Sequence, residues 1–448
     1  MMNYKVGMIS LGCPKNQVDA ERMLASLKSA GFEITADQAQ ADAIIVNTCG
    51  FIEDAKREAI ENILETAGLK QNANLKALIV TGCLAERYQD QIRTEMPEVD
   101  AVAGIGADGD IVSIVRDALA GQSYCVCPPK EQLPLEGKRL LTTPPHWAYL
   151  KVAEGCSNRC AYCAIPYIRG NMRSRPMENI VAEAQELAKS GVREIILVAQ
   201  DTTRYGEDLY HESKLPDLLD QLCAVDGIHW IRLLYCYPDR MTDRLLDTIA
   251  AQPKVLPYID LPLQHADASV LRRMNRKGSP EELLALLQKI RARLPEVVIR
   301  TTVMTGFPGE GEQEFETLSE FVEQAQFDRL GCFAYSPEEG TPAAEFPDQV
   351  EDDVKKRRGE LIMEQQYVIF ERKNRARIGA DFEVIVDGFD EESGLYMGRT
   401  YMDAPEIDSA VFFPSKFTLE PGRFVTVRIT GTDGYDMTGE LVMPAMED

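Results

Sequence analysis

The sequence predicts an α/β protein in three parts: an N-terminal open parallel α/β domain, a central partial (β/α) barrel of about six units, and a small C-terminal antiparallel β-barrel. Three observations predict it. An apolar run, a tight polar turn and a cysteine recur three times near the start, strand-like and helix-like stretches alternate through the middle, and short alternating segments take over beyond Arg375.

In the first part the apolar runs are 6–11 before Gly12-Cys13, 43–46 before Asn47-Thr48-Cys49, and 77–80 before Thr81-Gly82-Cys83. Between them lie helical patterns at 19–30 and 53–66. Short continuous apolar runs that alternate with helices indicate buried parallel strands. Each cysteine then sits just past the carboxyl end of a strand, the edge at which open parallel sheets bind ligands. After Gly121, Pro128-Pro129, Pro134 and Pro144-Pro145 interrupt regular structure. The expected boundaries are 1–122 for the first domain, 123–140 for a linker, 141–374 for the central barrel and 375–448 for the last. Central strands are expected at 148–153, 194–199, 230–236, 258–263, 297–303 and 330–335, with helices including 178–189, 215–224, 281–293 and 312–324. That spacing implies βα units. The last part has strand patterns at 382–386, 395–400, 424–430 and 437–442, and Thr432-Asp433-Gly434 supplies a tight turn.

At 448 residues the length fits about three domains. The start, Met1-Met2-Asn3-Tyr4-Lys5-Val6, lacks a basic region followed by an apolar run and a cleavage site, so it reads as a strand and not as a secretory signal. No apolar stretch reaches the ~18 residues that span a bilayer. A cytoplasmic protein without membrane contact is expected. The 11 cysteines, an odd number over a long chain, fit reduced thiols or metal ligands better than a disulfide framework. A formal charge of -24 works against broad contact with nucleic acid phosphates and suits a basic partner.

The strongest chemical signal is Glu154-Gly155-Cys156-Ser157-Asn158-Arg159-Cys160-Ala161-Tyr162-Cys163-Ala164-Ile165-Pro166, a C-x3-C-x2-C run directly after the first central strand. Three thiolates this close on an irregular loop can wrap one corner of a cubic iron-sulfur cluster, which has four irons and wants four ligands. One iron is left open, and an open iron can take the amino and carboxylate groups of S-adenosylmethionine (SAM). The alternative is a zinc site of three cysteines and His146, but zinc sites favour paired short spacings.

This run is similar to that of the radical SAM superfamily. The three strand-end cysteines ahead of it resemble the methylthiotransferase branch, in which an N-terminal domain precedes the SAM barrel and a small β-barrel called TRAM follows. Within that branch, Tyr149-Leu150-Lys151-Val152-Ala153-Glu154-Gly155-Cys156 and Gly398-Arg399-Thr400-Tyr401-Met402-Asp403-Ala404-Pro405-Glu406-Ile407-Asp408 resemble the members that methylthiolate an aspartate of small-subunit ribosomal protein S-twelve. The resemblance covers nearly the whole chain. It implies a 4Fe-4S cluster on Cys156, Cys160 and Cys163 that binds SAM, and a second 4Fe-4S cluster on Cys13, Cys49 and Cys83. It also implies S-twelve or the small ribosomal subunit as partner and an electron donor such as flavodoxin or ferredoxin, while the sulfur donor stays open. A carbon beside a carboxylate carries no hydrogen that a side-chain base readily removes at neutral pH, so a radical route is implied. In that scheme the SAM cluster starts the radical, the second cluster presents the sulfur, and a second SAM methylates it.

For SAM itself, Val303-Met304-Thr305-Gly306-Phe307-Pro308-Gly309-Glu310 resembles a superfamily adenosine-binding element. Gly306, Tyr162, Gln264 and Arg300 are the expected contacts. Where many superfamily members have Gly-Gly-Glu after the second strand, this chain has Gln200-Asp201-Thr202-Thr203, which leaves the amino contact open. His211, His229 and His265 lack metal spacing and read as surface or satisfied core residues. Cys223, Cys236 and Cys332 read as core or near-core, and Cys125-Val126-Cys127 as a linker feature. Two rival functions are a transfer-RNA methylthiotransferase acting on a modified adenosine and a non-catalytic iron-sulfur ribosome-binding module. Residues 375–448 hold six Lys and Arg against 15 Asp and Glu, a balance of -9 that argues against phosphate binding. Asp403, Glu406 and Asp408 are the expected dock for a basic ribosomal protein.

Overall fold

The computed structural model describes residues 4–130 and 135–442; residues 131–134 of the expected linker, with Pro134, lie outside the described residues. The first unit is a six-stranded parallel sheet ordered Glu33–Ile34, Lys5–Ser10, Ala43–Thr48, Ala77–Gly82, Ala101–Ala103, Tyr124–Val126. Its long strands are the three expected, and they are apolar because helices cover both faces. Pro14–Ser29 and Ile111–Leu119 pack on one side, Glu53–Asn72 and Cys83–Glu95 on the other. The three short strands run for two or three residues, too few to show a period. One of them, Tyr124–Val126, pairs with Ala101–Ala103, so the chain leaves this sheet inside the stretch read as linker.

The second sheet takes its six strands in sequence order: Trp147–Lys151, Glu194–Val198, Trp230–Leu233, Val255–Asp260, Val298–Thr305 and Arg329–Ala334, all parallel. Alternate residues divide its faces. Ala148, Leu150, Ile195, Leu197, Ile231 and Leu233 pack with the surrounding helices. Tyr149, Ile196, Trp230, Tyr258 and Val298 join the core of the C-terminal unit instead. That unit is a closed barrel with spatial order Asp381–Asp390, Leu395–Arg399, Val411–Phe413, Asp436–Leu441, Phe424–Asp433. The unexpected member, Val411–Phe413, completes closure by pairing parallel to Asp436–Leu441. The helix Asp352–Arg375, also absent from the sequence reading, packs on the edge strand Arg329–Ala334.

Charged groups stitch the barrel to the central sheet. Buried Glu194 accepts from Arg232 at 2.8 Å and from Arg399 of the barrel at 2.6 Å. Arg399 also pairs with Asp387 at 2.8 Å, and Asp387 takes His146 at 2.7 Å. Two of the expected docking acids belong to this seam and do not face a partner. Asp403 is 0% exposed and accepts from Arg329 at 2.6 Å and from Thr400 at 2.9 Å. Asp408 accepts from the Tyr258 hydroxyl at 2.6 Å and lies 3.5 Å from Arg300. A carboxylate is buried only where a partner compensates its lost water, and these partners come from the central sheet. Glu406 alone of the three is exposed. Among the described residues no helix is long and apolar enough to cross a membrane.

Candidate active site

The first three cysteines are brought together by strand pairing. Lys5–Ser10, Ala43–Thr48 and Ala77–Gly82 are adjacent and in parallel register, so their carboxyl ends lie side by side. Cys13 caps the helix Pro14–Ser29, Cys49 follows its strand directly, and Cys83 opens the helix Cys83–Glu95. The strand-to-helix corner at Cys83 is tight. Gly82 has φ +92° and a Cβ there would meet the Thr48 carbonyl at 2.4 Å, so a side chain has no room. Asn16 ties the corners by donating to the carbonyls of Leu11 at 3.1 Å and Thr48 at 2.9 Å.

The second three sit on the loop between Ala153–Glu154 and the short helix Ile165–Arg169. Ala153–Glu154 pairs with Arg173–Ser174, which closes the loop into a compact turn. Inside it the Cys156 N–H donates to the Gly170 carbonyl at 3.0 Å and the Cys163 N–H to the Cys160 carbonyl at 3.1 Å. Arg276 lies 3.9 Å from the Cys160 sulfur, over the Tyr237 ring at 4.3 Å, and donates to the Pro262 carbonyl at 2.7 Å.

All six thiols face one cavity of about 330 Å³ between the first domain and the carboxyl ends of the central strands. Lys15, Arg169, Tyr235, Tyr237, Gln264 and Arg276 line it as well. No disulfide joins any of the cysteines. Burial pushes the Cys83 thiol up to about 12 and Cys156 up to about 11, and it raises Cys49 and Cys163 too. Cys13 differs. Burial would raise it, but the charges of Lys15 and Arg169 outweigh that and hold it below the usual thiol value. Buried thiols of this kind are poor nucleophiles and become ligands when a metal displaces their protons.

Among the described residues no three His, Cys, Asp or Glu side chains converge on a single ion, which fits neither triad to a mononuclear metal. A cluster spreads its ligands over separate corners, and three free thiols at each end of one cavity are a donor set for that chemistry. The zinc alternative fails on His146, whose ring is committed to Asp387 in the barrel seam. A seventh thiol, Cys236, also lies on the cavity wall, buried beside Thr202 at 3.9 Å.

Of the four residues expected to touch SAM, Tyr162 and Gln264 line the cavity and the other two do not. Arg300 alternates to the face covered by the terminal barrel, where it pairs with Asp260 at 2.9 Å. Gly306 has φ +71° and donates its N–H to Glu310 at 2.9 Å; a Cβ would meet Lys355 at 2.0 Å, so the glycine admits a helix and not a ligand. Gln200 lines the cavity, while Asp201 behind it accepts from Asn158 at 2.8 Å. Lys15, Arg169, Tyr235, Tyr237 and Arg276 escaped the sequence reading. Only the closeness of Lys15 to Cys13 in sequence could have flagged any of them. His265 is buried 3.3 Å from Glu310 and His229 lies 3.0 Å from Glu383, as structural residues.

Comparison with known proteins agrees with this arrangement. Residues 5–104 match the uncharacterized protein family UPF0004, residues 150–322 the radical SAM superfamily and residues 378–442 the TRAM domain. Among solved structures, a radical SAM methyltransferase, TsrM from Kitasatospora setae, with cobalamin and a 4Fe-4S cluster bound, superposes with a TM-score of 0.57. It is 12% identical over 76% of this chain and 77% of that one, which is a likeness of fold. The fold and loop are those of a radical SAM protein, a class that uses a 4Fe-4S cluster and SAM. Two relatives are each named "Ribosomal protein uS12 methylthiotransferase RimO". The one from Desulforamulus reducens is 50% identical over 97% of this chain and 99% of its own length. The one from Pelotomaculum thermopropionicum is 50% identical over 99% and 100%. The chain belongs to the RimO family of radical SAM methylthiotransferases.

Proposed function

We propose that this chain adds a methylthio group to the β-carbon of an aspartate in small-subunit ribosomal protein S-twelve. Cys156, Cys160 and Cys163 hold the 4Fe-4S cluster that binds SAM, and Cys13, Cys49 and Cys83 hold a second 4Fe-4S cluster. The observation that carries this reading is that both thiol triads face the same cavity, although they belong to different domains. When bound, the two clusters and SAM supply an electron, a radical able to take hydrogen from an unactivated carbon, and the sulfur that replaces it.

The chain's own residues do the rest. Glu154 and Arg169 close the loop that carries one triad, and Asn16 fixes the corners that carry the other. Tyr162 and Gln264, which line the cavity, contact SAM. Tyr235, Tyr237 and Phe51 add aromatic surface to that wall, which helps keep water from a reactive intermediate. The enzyme works in the cytoplasm and draws electrons from a donor such as flavodoxin or ferredoxin.

Mass spectrometry of S-twelve from cells with and without this gene tests the reading. The expected result is an aspartate carrying a methylthio group only when the gene is present. An unmodified S-twelve in both strains would overturn it.

A further inference from the structure

Lys15 is a buried cation without a carboxylate partner, beside the Cys13 thiol and the Tyr235 ring. It is 3% exposed and lines the cavity that holds the six thiols. Its ammonium sits 3.4 Å from the centroid of the Tyr235 ring, and among the described residues no carboxylate forms an ion pair with it. The other two buried lysines are treated differently by the fold. Lys151 pairs with Asp19 and with Glu154, and Lys355 pairs with Asp352. The other cations of the cavity are also occupied: Arg169 by Glu154, Asp19 and Asn16, and Arg276 by the Pro262 carbonyl and the Tyr237 ring.

Its position adds a second cost. Lys15 stands in the first turn of Pro14–Ser29, a turn without any acidic residue, where the helix dipole disfavours a positive charge. Tyr235, which supports it, holds a left-handed φ of +60°, a conformation that a bulky residue adopts only when its surroundings impose it. Among the described residues that line the cavity there is no carboxylate, so the group that Lys15 lacks is one a ligand can bring.

We propose that Lys15 receives the side-chain carboxylate of the substrate aspartate, with the Tyr235 ring holding the ammonium in place. The proposal rests on the methylthiotransferase reading above. In an aspartate the β-carbon is bonded directly to the carboxyl carbon, so a cation that fixes the carboxylate fixes the reacting atom to within one bond. Lys15 follows Cys13 by two residues, on the wall that carries Cys13, Cys49 and Cys83, and the loop with Cys156, Cys160 and Cys163 lies on the opposite domain. A carboxylate held there presents its β-carbon to the wall assigned to sulfur. An unmodified or alkylated nucleobase has no carboxylate, so the same contact favours a protein substrate over such a base.

The test measures binding of two peptides to the reconstituted enzyme by fluorescence anisotropy: one spanning the modified aspartate of S-twelve, the other with asparagine in its place. The native enzyme is expected to prefer the aspartate peptide by roughly 10- to 100-fold, the range of a hydrogen bond to a charged group. Lys15→Met is expected to bind both peptides alike, and Lys15→Arg to keep a preference. If Lys15→Met does not load its clusters, Lys15→Gln is judged by the same ratio. Equal binding by the native enzyme, or a preference that survives in Lys15→Met, overturns the proposal. So does a parallel loss for both peptides, which is what a merely structural lysine would give. Failure of the functional reading is distinct, because there the native enzyme leaves S-twelve unmodified.

Discussion

Arg169 donates to both carboxylate oxygens of Glu154, at 2.8 and 2.9 Å. Glu154 stands two positions before Cys156 and Arg169 six after Cys163, so one ion pair closes the three-cysteine loop at both ends. The same guanidinium reaches Asp19 at 3.2 Å and donates to Asn16, both on the helix that follows Cys13. One side chain therefore sets the distance between the two triads. Burial would raise the Glu154 carboxyl, but Arg169 and Lys151 outweigh it and hold the group far below the usual carboxylate range.

Arg169→Met leaves buried Glu154 with Lys151 as its remaining cation, and Asp19 with Lys151 and Arg22. Removing one partner of a buried pair costs about 3–5 kcal/mol. Urea unfolding of the metal-free protein should show a loss of that order. A loss near that of an exposed substitution, about 0.5 kcal/mol, would show that the clamp does not hold the loop.

Replacing Cys156, Cys160 and Cys163 by Ala should halve the bound iron and sulfide and abolish SAM cleavage. Replacing Cys13, Cys49 and Cys83 should also halve the iron, but deoxyadenosine should still form while methylthiolated product does not. Anaerobic reconstitution followed by iron, sulfide and product assays separates the two triads. SAM cleavage by the first variant would contradict the assignment.

Acid should release the terminal barrel. Burial alone would raise Glu194, but Arg399 and Arg232 lower it below its ordinary value. A carboxyl depressed in the folded state contributes stability that is fully present above its unfolded value, about 4.3, and is lost as pH falls through the folded one. Stability should therefore be flat at neutral pH and fall only below that value. Glu194→Gln should weaken the protein at neutral pH and flatten the acid limb of a plot of unfolding free energy against pH. An unchanged limb would mean that other carboxylates carry it.

Asp403→Asn should destabilise the protein by about 3–5 kcal/mol, because it breaks a fully buried pair with Arg329. Glu391→Gln, at an exposed hairpin tip of the same barrel, should stay within about 0.5 kcal/mol. Thermal melts of the two variants compare them directly. Similar melting temperatures would mean that Asp403 is not a structural acid.

The sequence by itself determined the strand-end cysteines, the C-x3-C-x2-C loop, the six βα units and the character of the terminal barrel. These are local signals: a period of two, a run of apolar residues, a spacing of a few positions. The short strands Glu33–Ile34, Ala101–Ala103 and Val411–Phe413 escaped because two or three residues carry no period, and pairing with neighbours already in place forms them. Only the tertiary structure decided what covers each face. Alternation puts Arg300 on one side of its strand, but packing of the terminal barrel, with Asp408, turns that side into a seam and not a SAM site. Asp403 finds Arg329, and Lys15 finds Tyr235, across long stretches of chain. Whether a charge meets a counter-charge, an aromatic face or solvent depends on which distant element lands against it, and that is fixed by packing of the whole molecule.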